Sequence, residues 1–521
     1  MGSSPCLLFG VWAVWNNPFF LDLPLLFLLG ACAPGIVLAL LWRRRGPRVA
    51  LAAPLVLAAL AALRPTPEPV DARLLVIGLD GATWERMDAL ELPHLEALQA
   101  EGSRAVLRSM EPMFSPLLWT TLASGKPPEQ HGIRGFRVRS DQVRVPRLWD
   151  LAEREGHRVG VWKWLVTWPP RQVDGFMVPG WLAPSPETIP ATLSFAKELE
   201  LSSRLHRRRT PARSPALLAL EGIPRGLRFS TLLAAVRHLV LGGDPAVERN
   251  LLRGRIDRDV FVWALHRYRP GLATFTYYAT DGLQHSHWGL EPADRAYRQA
   301  DAIVGELVTR VGEGTVVVVL SDHGFQALSG PEERLVPTTE TLRERLGEGV
   351  EVQRLGIKLV VTGPAGTAVA LENLRDEEGL PVYTVETLQD GVWGLTLRRE
   401  RLSTKELDGA TVGGMPMRSF ARHREQRDRG DHHPEGIFLA RGPGIPAGRL
   451  PEMGLLDVAP TLQALMGVPP AQDLPGRVVL GPQDRGPLSR DALLDDLDWG
   501  GWDLEAPLVD EDALRALGYI E

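Results

Sequence analysis

The strongest constraint in the sequence is an apolar run that ends abruptly on polar residues. Residues 315–320 read TVVVVL, and Ser-Asp-His-Gly follows at once at 321–324. Continuous apolar runs of this length are typical of strands buried on both faces of a sheet. Similar runs occur at 73–79, 158–164, 272–278 and 436–442. Because amphipathic stretches such as 293–311 separate several of them, the pattern predicts an α/β fold with a central, mostly parallel sheet covered by helices on both faces.

Ionisable residues follow the predicted strands. Asp80, Asp281, Asp322 and His323 all fall at or just beyond strand ends, which is where such sheets bind their ligands. His285 stands four residues after Asp281, a spacing that places both side chains on one face of a helix. Taken singly, each residue has an ordinary interpretation: Asp80 as a helix N-cap, Asp322 and His323 as a hydrogen-bonded strand end, and His432 as a loop histidine.

Together these residues indicate a different chemistry. Three carboxylates and three imidazoles, beside a hydroxyl-rich run at 113–133, are the ligand types that two zinc-like ions take. A buried strand that ends on Asp322 and His323 is then explained by a metal site at its tip. Gly324 allows the backbone to turn closely beside that site.

Composition excludes several other kinds of protein. The net charge of −6 gives no reason to expect a nucleic acid polymer as partner. Both cysteines, Cys6 and Cys32, lie in the apolar amino-terminal stretch. The rest of the chain therefore has no disulfide scaffold, no Cys-ligated zinc site and no cysteine nucleophile.

The amino-terminal 70 residues are predicted to be a membrane anchor and linker. Residues 23–42 are 20 residues without a charge, the length of a helix that crosses a bilayer. Arginines at 43–48 and a shorter apolar run at 49–63 follow, so the positive-inside rule places everything after Arg64 outside the cytoplasm. The second run is short for a crossing, and a surface-lying hairpin with a cytoplasmic body is the alternative.

Residues 71–521 are predicted to form the catalytic domain with two insertions. Residues 185–250 contain a basic run at 204–214 and then helical sequence, which we interpret as a cap. The basic run is interpreted as a solvated face, with a membrane-surface or anionic-substrate contact as the alternative. Residues 326–424 hold short strand-like pieces and are predicted to form a small α+β subdomain.

Six ordered motifs resemble the alkaline phosphatase superfamily, in particular the type I phosphodiesterase/nucleotide pyrophosphatase branch. They are VIGLDGAT, FSPLLWTTLASGKPPEQHGI, TDGLQH, SDHGF, GDHHPEGIFLARGPGI and LLDVAPTLQALMGVP. The resemblance implies an alkaline phosphatase-like fold and two divalent ions, most simply zinc. It places one ion on Asp281, His285 and His432. The other ion is placed on Asp80, Asp322, His323 and the nucleophile.

The resemblance also indicates the nucleophile. Counting back from Gly125, the family position falls on Ser115, and Thr120, Thr121 and Ser124 are the other hydroxyls of the segment. His432 is preferred over His433 as the first histidine of the family pattern. His131 and His287 are interpreted as structural or supporting residues.

The chain departs from the family where phosphate is bound. Related nucleotide pyrophosphatases carry an asparagine where this chain has Phe136, so Phe136, Arg134 and Arg137 are the candidate substrate-binding residues. A sulfatase is unlike this chain, because Ser115 is followed directly by Pro116 and has no arginine four residues on.

The resemblance implies a phosphodiesterase-like hydrolase at the membrane surface. Ser115 would attack phosphorus in line, and water would hydrolyse the phosphoseryl intermediate beside two ions about 4 Å apart. The substrate would be a phosphorylated small molecule or a lipid or glycan headgroup. Two alternatives remain: a membrane-tethered phosphotransferase with a lipid or glycan acceptor, and a non-enzymatic binding protein on a hydrolase fold.

Overall fold

The computed structural model describes residues 68–202, 213–241, 244–328, 333–355, 358–398, 404–425 and 429–500. The sheets and long helices belong to one compact unit, residues 69–222 and 226–521. A second unit groups residues 1–68 with 223–225, and the described part of it is Glu68 and a 3₁₀ turn at Ile223–Arg225.

The described strands are β1 (Leu74–Leu79), β2 (Ser103–Arg108), β3 (Val159–Trp162), β4 (Gly175–Val178), β5 (Leu272–Tyr277), β6 (Val316–Leu320), β7 (Gly324–Ala327), β8 (Glu333–Pro337), β9 (Glu351–Leu355), β10 (Lys358–Thr362), β11 (Tyr383–Gln389), β12 (Val392–Leu397), β13 (Thr411–Val412), β14 (Met415–Pro416), β15 (Ala421–Glu425), β16 (Gly430–His433), β17 (Glu435–Arg441), β18 (Gly448–Arg449) and β19 (Met453–Gly454). The described α-helices are α1 (Trp84–Ala89), α2 (Pro93–Glu101), α3 (Ser115–Ser124), α4 (Pro128–His131), α5 (Leu148–Arg154), α6 (Ser194–Ser202), α7 (Pro215–Gly222), α8 (Phe229–Leu241), α9 (Pro245–Tyr268), α10 (Ala279–His287), α11 (Glu291–Arg310), α12 (Glu340–Leu346), α13 (Thr367–Glu372), α14 (Thr404–Gly409) and α15 (Val458–Leu465).

The central sheet has the strand order β18-β2-β17-β6-β1-β5-β3-β4, with β19 also paired to β2. The neighbours β6, β1, β5, β3 and β4 run parallel to one another. Strand β17 is antiparallel to both β2 and β6. The prediction of a mixed α/β chain with a mostly parallel central sheet is confirmed.

Both faces of the sheet are buried because apolar side chains point alternately to either side. In β1, Leu74 and Val76 pack on the face that carries α3, α5 and α15. Leu75, Ile77 and Leu79 pack on the opposite face, against α2, α9 and α11. Each such fully buried side chain contributes about 1.5–3 kcal/mol to folding.

A smaller sheet lies in the stretch between β7 and β16. Its order is β11-β12-β10-β9, all antiparallel, and it has its own apolar core around Leu359, Trp393 and Leu395. The region from 185 to 250 contains α6, α7, α8 and the start of α9. The role of that region as a cap, and the domain boundaries as a whole, stay predictions.

No helix in the described ranges is long and apolar enough to cross a membrane. The predicted spans at 23–42 and 49–63 lie outside those ranges, as does most of the basic run.

Candidate metal centre and active site

Three adjacent strands bring the predicted ligands to one edge of the sheet. Strands β5, β1 and β6 are parallel neighbours, with Leu79 paired to Tyr277 and Gly78 to Leu320. Asp80 directly follows β1, and Asp322 and His323 follow β6 by two and three residues. Asp281 is the third residue of α10, which begins just after β5. Since parallel strands end at the same edge, the four side chains converge.

Two histidines reach the same place by different routes. His285 lies one helical turn after Asp281, and its Nε2 is 3.4 Å from Asp281 Oδ1. His432 lies in β16, which pairs with β7 so that His432 stands opposite Phe325. The antiparallel ribbon β7–β16 therefore folds His432 back over the end of β6.

The nitrogen and oxygen atoms of this cluster, called the rim below, lie at ligand-to-ligand distances. His432 Nε2 is 3.4 Å from Asp281 Oδ1 and 3.2 Å from His285 Nε2. His323 Nε2 is 3.5 Å from Asp80 Oδ1 and 3.6 Å from Asp322 Oδ2. In a tetrahedral zinc site with bonds of about 2.0 Å, ligand atoms stand about 3.3 Å apart. Two overlapping sets could hold a metal ion: Asp281, His323 and His432, and Asp80, Asp322 and His323.

Backbone carbonyls fix the histidine tautomers. The Nδ1 atoms of His323 and His432 lie 3.0 Å from the carbonyl oxygens of Gly324 and Met113. Because a carbonyl only accepts, each Nδ1–H donates and each Nε2 keeps a lone pair that points into the rim. A lone pair that faces carboxylate oxygens is repulsive unless a cation lies between them.

Five buried polar atoms of the rim lack a hydrogen-bond partner: Asp80 Oδ1, Asp281 Oδ1, both Asp322 carboxylate oxygens and His323 Nε2. Buried polar atoms in folded proteins are normally paired, because an unpaired one costs about 1–3 kcal/mol or more when charged. A concentration of five such atoms in one small volume fits a site for divalent cations.

Burial and mutual repulsion control protonation in the rim. Burial, reinforced by the charges of Asp322 and Asp281, raises the pKa of Asp80, and burial raises the pKa of Asp322 to about 7. Burial and the nearby His432 lower the pKa of His323 to about 4. Burial would raise the pKa of Asp281, but His285 and His432 outweigh burial and lower it. Asp80 and Asp322 thus favour protons in the metal-free protein, whereas Asp281 stays ionised, and bound cations would displace the protons of the first two.

The hydroxyls of α3 differ in what they do. Thr120 and Thr121 donate to the carbonyls of Pro116 and Leu117 at 2.7 and 3.0 Å, and Ser124 donates to that of Thr120 at 2.7 Å. These hydroxyls are occupied within their own helix. Ser115 is the buried first residue of α3, and no hydrogen bond to the described part of the chain engages its hydroxyl. It lies two residues after Met113, whose carbonyl contacts His432.

The other histidines considered in the sequence, His131, His433 and His287, contact residues outside the rim. His131 is fully buried, accepts from the Ile133 N–H at Nδ1 and contacts Thr121 Oγ1 through Nε2 at 3.1 Å. Burial, with a further effect of Arg134, lowers the pKa of His131 to about 3, so it stays neutral. His433 Nδ1 accepts from the Glu435 N–H, and His287 lies 3.8 Å from Asp244.

The three predicted substrate-binding residues separate into two groups. Phe136 is buried, and its ring centroid lies 5.4 Å from that of Phe114, the residue before Ser115. Arg134 donates to the carbonyl of Asp390 at 2.9 Å. The charge of Arg137 opposes the rise that burial causes in the pKa of Glu351. Both arginines therefore lie towards the small sheet, whereas Phe136 packs on Phe114, the residue before the candidate nucleophile. Their role in substrate binding stays a prediction.

Comparison with known families decides the relationship. Residues 74–392 match the model of the type I phosphodiesterase / nucleotide pyrophosphatase family. The chain belongs to that family. Members hydrolyse phosphoric esters, so the chain is a phosphoric ester hydrolase. The matched range contains all of the rim residues except His432, which β16 supplies from outside it.

Three solved structures are similar to the chain at low identity. Murine ectonucleotide pyrophosphatase/phosphodiesterase 5 shares 14% identity over 76% of this chain and 95% of its own, with a TM-score of 0.42. The human protein shares 13% identity over the same shares, with a TM-score of 0.44. An inactive variant of the murine protein in complex with AMP shares 14% identity over 76% of this chain and 96% of its own, with a TM-score of 0.43. A search of curated proteins gives no match.

Two aromatic residues near the rim, Phe325 and Tyr278, were not predicted from the sequence. The ring of Phe325 lies 4.9, 5.3 and 5.8 Å from the rings of His285, His432 and His323. It therefore packs against all three imidazoles. Tyr278 lies just before α10. Burial, and then the charges of Asp80 and Asp322, raise its pKa. The only signal for both was position: Phe325 directly follows Ser-Asp-His-Gly, and Tyr278 directly follows a strand end.

Proposed function

We propose that the chain is a phosphodiesterase-like hydrolase that uses Ser115 as its nucleophile and two divalent ions, most simply zinc. The observation that carries the proposal is the rim, in which imidazole and carboxylate atoms stand 3.2–3.6 Å apart with their lone pairs facing inward. Histidine nitrogen together with carboxylate oxygen favours zinc over calcium or magnesium.

Each ion has a proposed set of ligands. Asp281, His285 and His432 hold one ion, since their three ligand atoms are mutually within 3.4 Å. Asp80, Asp322 and His323, with Ser115, hold the other. An ion in each set supplies Lewis-acid chemistry, which lowers the pKa of a hydroxyl or water and offsets charge on phosphoryl oxygens.

The proposed bond changes occur between Ser115, the substrate phosphorus and water. Ser115 Oγ attacks phosphorus in line, a new Oγ–P bond forms, and the P–O bond to the departing alcohol breaks as that oxygen takes up a proton. Water then attacks the phosphoseryl group, the Oγ–P bond breaks, and Ser115 is regenerated. The backbone N–H groups in the first turn of α3 favour the negative phosphoryl oxygens.

The proposed substrate is a phosphorylated small molecule. Phe114, which directly precedes Ser115, packs edge to face on Phe136, and the Trp181 ring centroid lies 6.3 Å from that of Phe136. Apolar rings at this position favour an uncharged or aromatic group on one side of the phosphorus. A relative of this fold was solved with AMP, which is a phosphorylated small molecule of this kind.

The location of the enzyme is also a proposal. Residues 23–42 and 49–63 would hold the chain at a membrane with the catalytic body outside the cytoplasm. A phosphatase reporter fused after Arg64 is expected to be active only in the exported compartment. Activity of the reporter in the cytoplasm alone would overturn this topology.

Replacement of Ser115 tests the nucleophile. Zinc-loaded protein with Ser115→Ala should lose at least about 10³-fold in turnover of bis(p-nitrophenyl) phosphate. Its metal content should remain near two ions per chain, because six other ligands are intact. The matched control is Ser124→Ala, whose hydroxyl donates within α3, and this variant should keep its activity within a few fold. Unchanged turnover in Ser115→Ala would place the nucleophile elsewhere.

A further inference from the structure

Exposed apolar side chains are concentrated in two consecutive helices. Nine large hydrophobic side chains are exposed in the described residues, and five of them lie on α7 and α8. They are Leu217 at 60%, Leu220 at 45%, Phe229 at 77%, Leu233 at 56% and Val236 at 54% exposure. Single exposed apolar residues need no explanation, whereas a cluster of this kind marks an interaction surface.

Three of the five exposed side chains in the described part of α8 are apolar, and the other two are Ser230 and Arg237. Phe229, Leu233 and Val236 are spaced i, i+4 and i+7, which places them in one stripe. The opposite side is fixed to the body, because buried Thr231 donates to Asp259 at 2.6 Å. The exposed stripe is therefore a stable feature of the folded helix.

Helix α7 repeats this arrangement. Its exposed positions are Pro215, Ala216, Leu217 and Leu220, all of them apolar, while Leu218 is fully buried. Helix α11 shows the ordinary pattern, because its exposed positions are Glu291, Arg298, Ala302 and Thr309. The outer faces of α7 and α8 are called the apolar face below.

The sequence around the apolar face is strongly basic. Residues 203–243 contain eight arginines and one acidic residue, Glu221, in a chain whose net charge is −6. In the described part of this segment, Arg213 pairs with Glu198 and Glu221, and Arg228 pairs with Glu306. Arg237 is exposed on α8 beside Val236. Apolar side chains together with an excess of arginine match the two layers of an anionic membrane surface, the acyl boundary and the headgroups.

We propose that the apolar face rests on a lipid bilayer with anionic headgroups. A second copy of the chain is a poorer occupant, because a symmetric contact through α8 would bring the exposed Arg237 of each copy towards that of the other. The chain also carries a 20-residue uncharged run at 23–42, long enough to place the body beside a bilayer. This inference is independent of the catalytic proposal, since it uses none of the rim residues.

Site-specific fluorescence quenching tests the proposal. The full chain with Cys6→Ser and Cys32→Ser has no other cysteine, so Leu233→Cys can be labelled uniquely with an environment-sensitive fluorophore. Ala302→Cys, at an exposed position of α11, is the matched control. Val236→Cys provides a second label position on the apolar face. The proteins are reconstituted in vesicles of phosphatidylcholine and phosphatidylglycerol, and turnover confirms that each is folded.

The proposal predicts opposite quenching at the two surfaces. A label at 233 or 236 should be quenched by doxyl-labelled lipid and be at least about threefold less accessible to iodide than a label at 302. High salt, or vesicles without phosphatidylglycerol, should weaken the lipid quenching. A label at 233 that iodide reaches as freely as one at 302 would overturn the proposal. So would protection from both quenchers, since protein would then cover the face.

Discussion

The rim and the apolar face leave side chains unsatisfied in opposite ways. In the rim, five polar atoms are buried without hydrogen-bond partners, among charged groups that raise the pKa of Asp80 and Asp322. On the apolar face, five large hydrophobic side chains are exposed on two helices that are consecutive in the chain. Both conditions are unfavourable in an isolated chain, by the cost of unpaired polar groups in one case and of exposed apolar area in the other.

The two regions need different kinds of partner. Buried, converging lone pairs are satisfied by a compact positive charge, so the rim fits cations. A broad apolar stripe is satisfied by an extended apolar phase, so the face fits a bilayer. The two regions also differ in position. The rim lies at the ends of three strands of the central sheet, and the apolar face lies on helices outside that sheet.

The largest expected effect follows from removing the carboxylate that all three rim histidines share. Asp281 Oδ1 lies 3.4 Å from the Nε2 atoms of His285 and His432 and 3.9 Å from that of His323. We expect Asp281→Asn to lower zinc affinity by at least about 10²-fold and to abolish turnover. Metal titration with a competing chelator measures this change. Unchanged affinity would show that Asp281 is no ligand, and Asp71→Asn, at an exposed position just before β1, is the control.

A smaller effect is expected from pH. The raised pKa values of Asp80 and Asp322 mean that the metal-free fold is favoured by their neutral forms. That contribution is present below the ordinary carboxyl pKa and is lost as pH rises through about 7 for Asp322. Zinc needs the ionised forms, whereas His323, with a pKa of about 4, stays neutral throughout this range. The rise in Tm on replacing EDTA by zinc should therefore be larger at pH 8 than at pH 6. Equal rises at both pH values would contradict the coupling of protons and metal.

A third comparison makes the same Phe→Ala substitution in the two regions. Phe325→Ala removes a buried ring packed on three histidines and should lower the free energy of unfolding by about 3–5 kcal/mol. Phe229→Ala removes a ring that is 77% exposed and should change it by no more than about 0.5 kcal/mol. Chemical denaturation in detergent measures both values. A large loss at Phe229 would mean that protein, and not lipid or solvent, covers the apolar face.

The sequence predicted those parts of the fold that rest on apolar runs. The runs at 73–79, 272–278 and 315–320 became β1, β5 and β6, each within one residue of its predicted ends. An uninterrupted apolar run that stops at an acid is a local signal, so it needs no knowledge of distant contacts. The convergence of Asp80, Asp281 and Asp322 follows from those three strands alone.

Other features depend on pairing that no local pattern encodes. His432 reaches the rim through β16, whose partner β7 lies over 100 residues earlier, and Gly-Asp-His-His has no strand-like periodicity. Arg134 and Arg137 are candidate phosphate ligands in the sequence, and no local pattern shows that Arg134 donates to the Asp390 carbonyl or that the charge of Arg137 acts on Glu351. Whether either arginine binds substrate stays a prediction. Apolar residues at helical spacing in α8 predict a buried face, and only the packing of Thr231 shows which side is outside.

Anomalous diffraction at the zinc absorption edge, from crystals of the zinc-loaded protein, shows directly whether the rim binds two ions. The account predicts two peaks about 4 Å apart. One should contact Asp281, His285 and His432, and the other Asp80, Asp322 and His323. No peak at the rim, a single peak, or zinc bound by other residues would contradict the account.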